Sequence, residues 1–131
     1  PDVEGARKFE SLGQRDDGCM SAVGTAADLH LLIGSDRVET RVYELVRALK
    51  SGLKECGAKL VTPEDSSFSG GVCIIEVPGE RRQELLDRLY EEHGIAGSTS
   101  GGLRLCPHIY NTDEHVERAL NGVKKLRHLL A

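Results

Sequence analysis

The 131-residue chain contains no tryptophan and only five other aromatic rings, three tyrosines and two phenylalanines. A surface that stacks nucleobases needs several such rings, so their scarcity argues against single-stranded nucleic acid as a partner. Positive charge is not concentrated either. Seventeen Lys and Arg stand against 21 Asp and Glu, a net charge of -4, and the two signs are mixed along the chain. Phosphate-backbone binding needs a basic patch, and none is written here. No apolar run approaches the roughly 18 residues of a membrane span, so the expectation is a protein with no membrane partner. No basic segment followed by an apolar stretch lies near Pro1, and no secretory signal is visible there. The four cysteines, Cys19, Cys56, Cys73 and Cys106, are widely spaced and form no C-x-x-C pair. That usage points to buried free thiols in a cytoplasmic protein rather than to a zinc site or a disulfide frame. Also missing are a G-x-x-x-x-G-K-[ST] phosphate loop, a G-x-S-x-G elbow, an H-E-x-x-H pair and the glycine spacing of a dinucleotide fold. No self-contained active site of a standard type is present.

What remains is a chain of one ordinary domain's size, 39% hydrophobic and 29% charged, able to bury a core without staples. From Ser35 onward the periodicity places its elements. Val38, Val42, Leu45, Val46, Leu49, Leu53 and Cys56 recur at three- and four-residue intervals, which predicts a long amphipathic helix from Asp36 that stops at Gly57. "AKLVTP" reads as a short strand ended by Pro63, and "GVCIIEV" as a strand stopped by Pro78. "GERRQELLDRLYEEHG" gathers Leu85, Leu86, Leu89 and Tyr90 on one helical face before Gly94. "IAGSTSGG" is a short strand and glycine turn, and "LRLCPH" a strand with Leu103 and Leu105 on one side and Arg104, Cys106 and His108 on the other. A last helix carries Val116, Ala119, Leu120, Val123, Leu126 and Leu130 on one stripe, with Asn111 or Thr112 as N-cap and Glu114 three residues after Asn111.

The order helix, strand, strand, helix, strand, strand, helix predicts an α+β two-layer sandwich. Its mainly antiparallel sheet has about four strands, with helices packed on one face. Residues 1–34 stand outside it as an N-terminal arm and a linking helix, "GCMSAVGTAADLHLLIG", ahead of the domain at 35–131.

Few residues invite chemistry. Arg104 projects from the strand face opposite Leu103 and Leu105, where a guanidinium fork can hold a carboxylate through two parallel hydrogen bonds. It is equally a surface arginine of an edge strand, or one paired to a nearby acid. His108 either orients a ligand or caps a carbonyl. Cys106 and His108 make a two-ligand pair too poor for a metal. Gly13 and Gln14 form a turn that can present backbone N–H groups to an anion, or an ordinary loop before a helix started by Asp16 or Asp17. The turn "GSTSGG" binds a phosphate or only reverses the chain.

Three stretches carry a resemblance. "LRLCPHIYNTDEHVERAL" resembles the closing segment of class V aminotransferase-like enzymes of fold type I, in which an Arg-x-Ser-x-x-x-Tyr-Asn-Thr pattern precedes the last helix. "RKFESLGQRDD" is similar to the segment before their small domain, where Phe-Glu leads to Gly-Thr, and "DLHLLIGSDRVETRVYELVRALKSGL" to the linking and long helices that follow. The isopenicillin-N-epimerase-like and cysteine-desulfurase-like branches look nearest. The resemblance covers nearly all of this chain and the last third of such an enzyme.

It implies the small C-terminal domain of a pyridoxal-5'-phosphate enzyme acting on an amino acid, working as a homodimer. Arg104 then matches the arginine that clamps the substrate α-carboxylate, with His108 beside it. Gly13 and Gln14 match the Gly-Thr pair that reaches the cofactor phosphate of the other subunit. Tyr110, Asn111 and Thr112 match residues that shape the turn and cap the last helix. Gln14 departs from the family threonine and Cys106 from the family serine. The cofactor lysine and the acid for the ring nitrogen belong to a large domain upstream, so this chain alone is expected to bind no cofactor covalently and to catalyse nothing. The competing reading is a stand-alone module that binds small carboxylates or regulates, without catalysis.

Overall fold

The computed structural model describes Gly5 and residues 16–130. Two compact units are present, Pro1–Ser35 and Asp36–Ala131. In the first, α1 (Asp17–Ile33) begins at Asp16, whose carboxylate accepts the Cys19 backbone N–H at 3.0 Å and the Cys19 thiol at the same distance. Those two bonds lower the pKa of the Asp16 carboxyl and raise that of the Cys19 thiol. The helix buries none of its residues, and Met20, Val23, Leu29, Leu31 and Leu32 are all more than half exposed.

In the second unit the long helix α2 (Ser35–Glu55) buries Leu45, Val46, Leu49 and Leu53 along the stripe its sequence spells. Helix α3 (Arg82–His93) buries Leu85 and Leu89 and ends at Gly94, whose N–H returns to the Tyr90 carbonyl at 2.9 Å. Helix α4 (Asp113–Lys125) buries Val116, Ala119, Gly122 and Val123. Short 3-10 turns lie at Ser66–Phe68, Gly79–Arg81 and Arg127–Leu129. Among the described residues no helix is long and apolar enough to cross a membrane.

The sheet corrects the expected count. Among the described residues two strands are present, β1 (Cys73–Ile75) and β2 (Leu103–Leu105), antiparallel with Ile74 opposite Arg104, and not four. The two other segments read as strands touch this pair by one bridge each, Leu60 to Ile75 and Ser98 to Arg104. On the first flank the ladder is cut short because the Thr62 hydroxyl takes the Ile74 N–H at 2.7 Å, and Pro63 has no N–H to continue with. On the second flank the approach is tight. A Cβ at Gly97 would stand 3.0 Å from the Arg104 carbonyl oxygen, and the chain turns away at once into the 99–102 turn. Gly102, at φ 147°, presses so close to β1 that a Cβ would overlap the Ile75 carbonyl oxygen.

One face of this small sheet, Cys73, Ile75, Leu103 and Leu105, joins the apolar stripes of α2, α3 and α4 in a single core. Burying each such side chain contributes roughly 1.5–3 kcal/mol. The other face carries half-buried Ile74 and exposed Arg104. Of the four thiols only Cys73 is buried; Cys56 is half-buried, while Cys19 and Cys106 are exposed. Burial pushes the Cys73 thiol up to about 11, because the thiolate would lose its hydration.

Candidate functional site

Arg104 is positioned by the alternation of β2. With Leu103 and Leu105 drawn into the core, the residue between them must face outward. Its backbone is held as well. The Arg104 N–H donates to the Ser98 carbonyl at 2.8 Å, and its carbonyl accepts the Ser98 N–H at 3.0 Å, while β1 pairs along the opposite side. Its Cα therefore sits between two neighbouring segments, and the guanidinium projects from a fixed base. Among the described residues no hydrogen bond or ion pair engages that guanidinium.

Beyond β2 the chain reverses. The His108 N–H donates to the Asn111 side-chain oxygen at 2.8 Å, and the Asn111 N–H donates back to the His108 carbonyl at 2.9 Å. The backbone bond closes a four-residue turn over 108–111, and the Asn111 side chain reaches back to satisfy the amide at its start. The half-buried His108 ring lies 4.9 Å from the Tyr110 ring, tilted by 32°. Thr112 then caps α4. Its hydroxyl accepts the His115 N–H at 3.4 Å, and its own N–H donates to His115 Nδ1 at 3.2 Å. The reciprocal partner is His115, not Glu114, because Thr112 and not Asn111 is the cap.

A cleft of about 340 Å³ opens beside this turn, lined among others by Cys106, Tyr110, Asn111, His115 and Arg118. Neither Arg104 nor His108 is in its wall. Cys106 and His108 have no third ligand, since no cluster of three metal-ligating side chains occurs among the described residues. Gly13 and Gln14 lie outside the described residues. Within the described part of that stretch, Asp16 starts a helix.

Sequence reading missed Lys50, a lysine only 6% exposed. Its signal was present: it stands four residues after Val46 and three before Leu53, on the buried stripe of α2. His115 and Arg118 were passed over because their shared cleft forms only when α4 folds back beside the 94–96 segment.

The architecture of these elements recurs as a segment of larger solved structures. An apo cysteine desulfurase from Thermococcus onnurineus NA1 superposes with a TM-score of 0.75 at 24% identity, over 95% of this chain and 34% of its own. A NifS-like protein superposes with a TM-score of 0.72 at 22% identity, over 99% of this chain and 39% of its own. In sequence, isopenicillin N epimerase of Amycolatopsis lactamdurans is 31% identical over 127 residues, 92% of this chain and 32% of that protein. No protein-family model matches. The chain is therefore homologous to part of isopenicillin N epimerase and is a domain of the class V aminotransferase-like kind. It spans about a third of the length of the relatives it matches.

Proposed function

We propose that residues 35–131 are the small C-terminal domain, and residues 1–34 the arm and linking helix, of a class V aminotransferase-like enzyme acting on an amino acid. In this reading Arg104 receives the substrate α-carboxylate. The observation that carries it is the outward guanidinium of Arg104, unengaged among the described residues and rooted between Ser98 and β1. A fork of this kind holds a carboxylate in one plane and fixes the rest of the substrate relative to it. His108, set in the turn that follows, helps define the same edge. Gly13 and Gln14 are proposed to reach the cofactor phosphate of a second subunit in a cytoplasmic homodimer.

Pyridoxal 5'-phosphate would supply the electron sink for bond cleavage at Cα. The described residues of this chain do not fit a covalent site for it. Lys54 is paired with Glu64 at 2.8 Å and Lys59 with Glu76 at 2.6 Å. Lys50 is bound to a carbonyl and a hydroxyl, the acids of its cleft, Glu55 and Glu64, are bonded to Ser51 and Lys54, and Lys124 and Lys125 are exposed in the last turn of α4. The cofactor is therefore assigned to a large partner domain. Helix α1 supports such a partner, since seventeen residues that bury nothing expose apolar area a complete module would not carry.

In the enzyme containing the large domain, Arg104→Ala should raise KM for the amino acid by about tenfold to a hundredfold, the worth of a charge-assisted pair, and leave the bound-cofactor absorbance intact. Unchanged kinetics would remove the assignment. A stand-alone carboxylate-binding module predicts instead micromolar binding of free amino acids to the isolated chain by calorimetry.

A further inference from the structure

Away from Arg104, the unit Asp36–Ala131 holds a second cleft of about 440 Å³, lined by α2 and by residues of the loop after Pro63. Lys50 is in its wall and is the one buried charged residue among the described residues. A buried ammonium is ordinarily matched by a carboxylate, because desolvating an unpaired charge is costly. Here both partners are neutral: Nζ donates to the Pro63 carbonyl at 2.6 Å and to the Ser69 hydroxyl at 2.6 Å. An ammonium has three donors, so one remains. One turn earlier on α2, Arg47 brings an exposed guanidinium to the same cleft, and no ion pair holds it among the described residues. Ser66 adds a hydroxyl. Both acids of the wall are engaged within it, by Lys54 and Ser51 of the same cleft. Glu64 holds Lys54 at 2.8 and 2.9 Å, and Glu55 accepts from Ser51 at 3.5 Å.

We propose that this cleft binds a phosphate-type oxyanion, either free or as the end group of a small phosphomonoester, through Lys50 and Arg47. The match is one of charge and shape. With Lys54 paired to Glu64, Arg47 and Lys50 outnumber the one remaining carboxylate of the wall, Glu55, and an oxyanion offsets that excess of positive charge. Its tetrahedral oxygens also accept from a guanidinium fork and an ammonium together. The volume lies within the range of small-molecule sites.

The test titrates inorganic phosphate into the 15N-labelled 131-residue chain at fixed ionic strength, with chloride as the balancing anion. Saturable shifts confined to amides 47–51 and 64–69, with half-saturation below about 1 mM, are expected. Arg47→Ala, which removes an exposed side chain, should weaken binding about tenfold or more. Lys50→Met should abolish it while leaving the phosphate-free melting temperature unchanged or raised, since a buried charge is removed. If Lys50→Met fails to fold, Arg47→Ala decides. Glycerol 3-phosphate separates the sources: tighter binding than phosphate assigns an ester ligand, and equal binding assigns free phosphate. Absence of saturation, an equal response to chloride, or shifts indifferent to both substitutions would overturn the site. Lys50 would then serve only to strap the loop to α2.

Discussion

Replacing Gly102 by alanine should unseat the strand that carries Arg104. A Cβ there overlaps the Ile75 carbonyl oxygen and stands 3.1 Å from the Ile75 carbonyl carbon. The obstacle is main chain, so no rotamer change relieves it. Ile75 is fully buried and pairs with Leu103, so β1 and β2 must part at the centre of the core. Overpacking costs about 1–3 kcal/mol and an unfavourable positive φ about 1–2 more, which sets the expected loss at about 3 kcal/mol or greater. For a domain of this size that lowers the melting temperature by about 12 °C or more. Gly101→Ala is the control. Gly101 has a φ of 77°, but its nearest neighbour would be Ile74 Cδ1 at 3.8 Å, so only the backbone penalty of about 1 kcal/mol applies. Urea unfolding followed by circular dichroism measures both variants. Losses within about 1 kcal/mol of each other would refute the packing account of this turn.

Arg104→Ala in the isolated chain should change stability by less than about 0.5 kcal/mol, because an exposed, unengaged side chain contributes little to the fold; a larger loss in urea would mean that the residue is structural. Thr112→Ala removes the cap of α4 and should cost about 1 kcal/mol, with a fall in helical ellipticity. At pH 8 a thiol reagent should modify Cys106 and Cys19 in the folded chain and reach Cys73 only on unfolding. Because the Cys73 thiol is held up to about 11 from an ordinary 9.0, the folded state retains its proton where the unfolded state loses it. Stability linked to this thiol is fully present below pH 9 and is lost as pH rises to about 11, and that loss should be missing from the alkaline limb of Cys73→Val in parallel melts.

The helices were legible because their information is local. The stripe of α2, the stop at Gly94 and the cap at Thr112 each follow from neighbours a few residues away. The outward direction of Arg104 was legible for the same reason, as one step of an alternation. The strand count was not. "AKLVTP" has the composition of a strand, yet its length is decided by the Thr62 hydroxyl capturing the N–H of Ile74, twelve residues on. Likewise "IAGSTSGG" is limited by how closely Gly97 meets the carbonyl of Arg104. Lys50 was hidden in a third way. Its position on the helix was plain, but the acceptors that allow its burial come from Pro63 and Ser69, across a loop whose path periodicity does not give.

The brevity of the sheet bears on how copies of this chain can meet. An exposed border of free amides invites another polypeptide to add a strand, which is how fibrils and swapped oligomers start. Here residues 59–62 already bond along β1, through the Glu76 N–H to the Lys59 carbonyl and the Val61 N–H to the Ile74 carbonyl, before Pro63 interrupts, and the segment beside β2 bends off after a single residue pair. A newcomer finds no continuous row of donors on either side, so encounters between molecules are steered toward side-chain surfaces such as the apolar flank of α1.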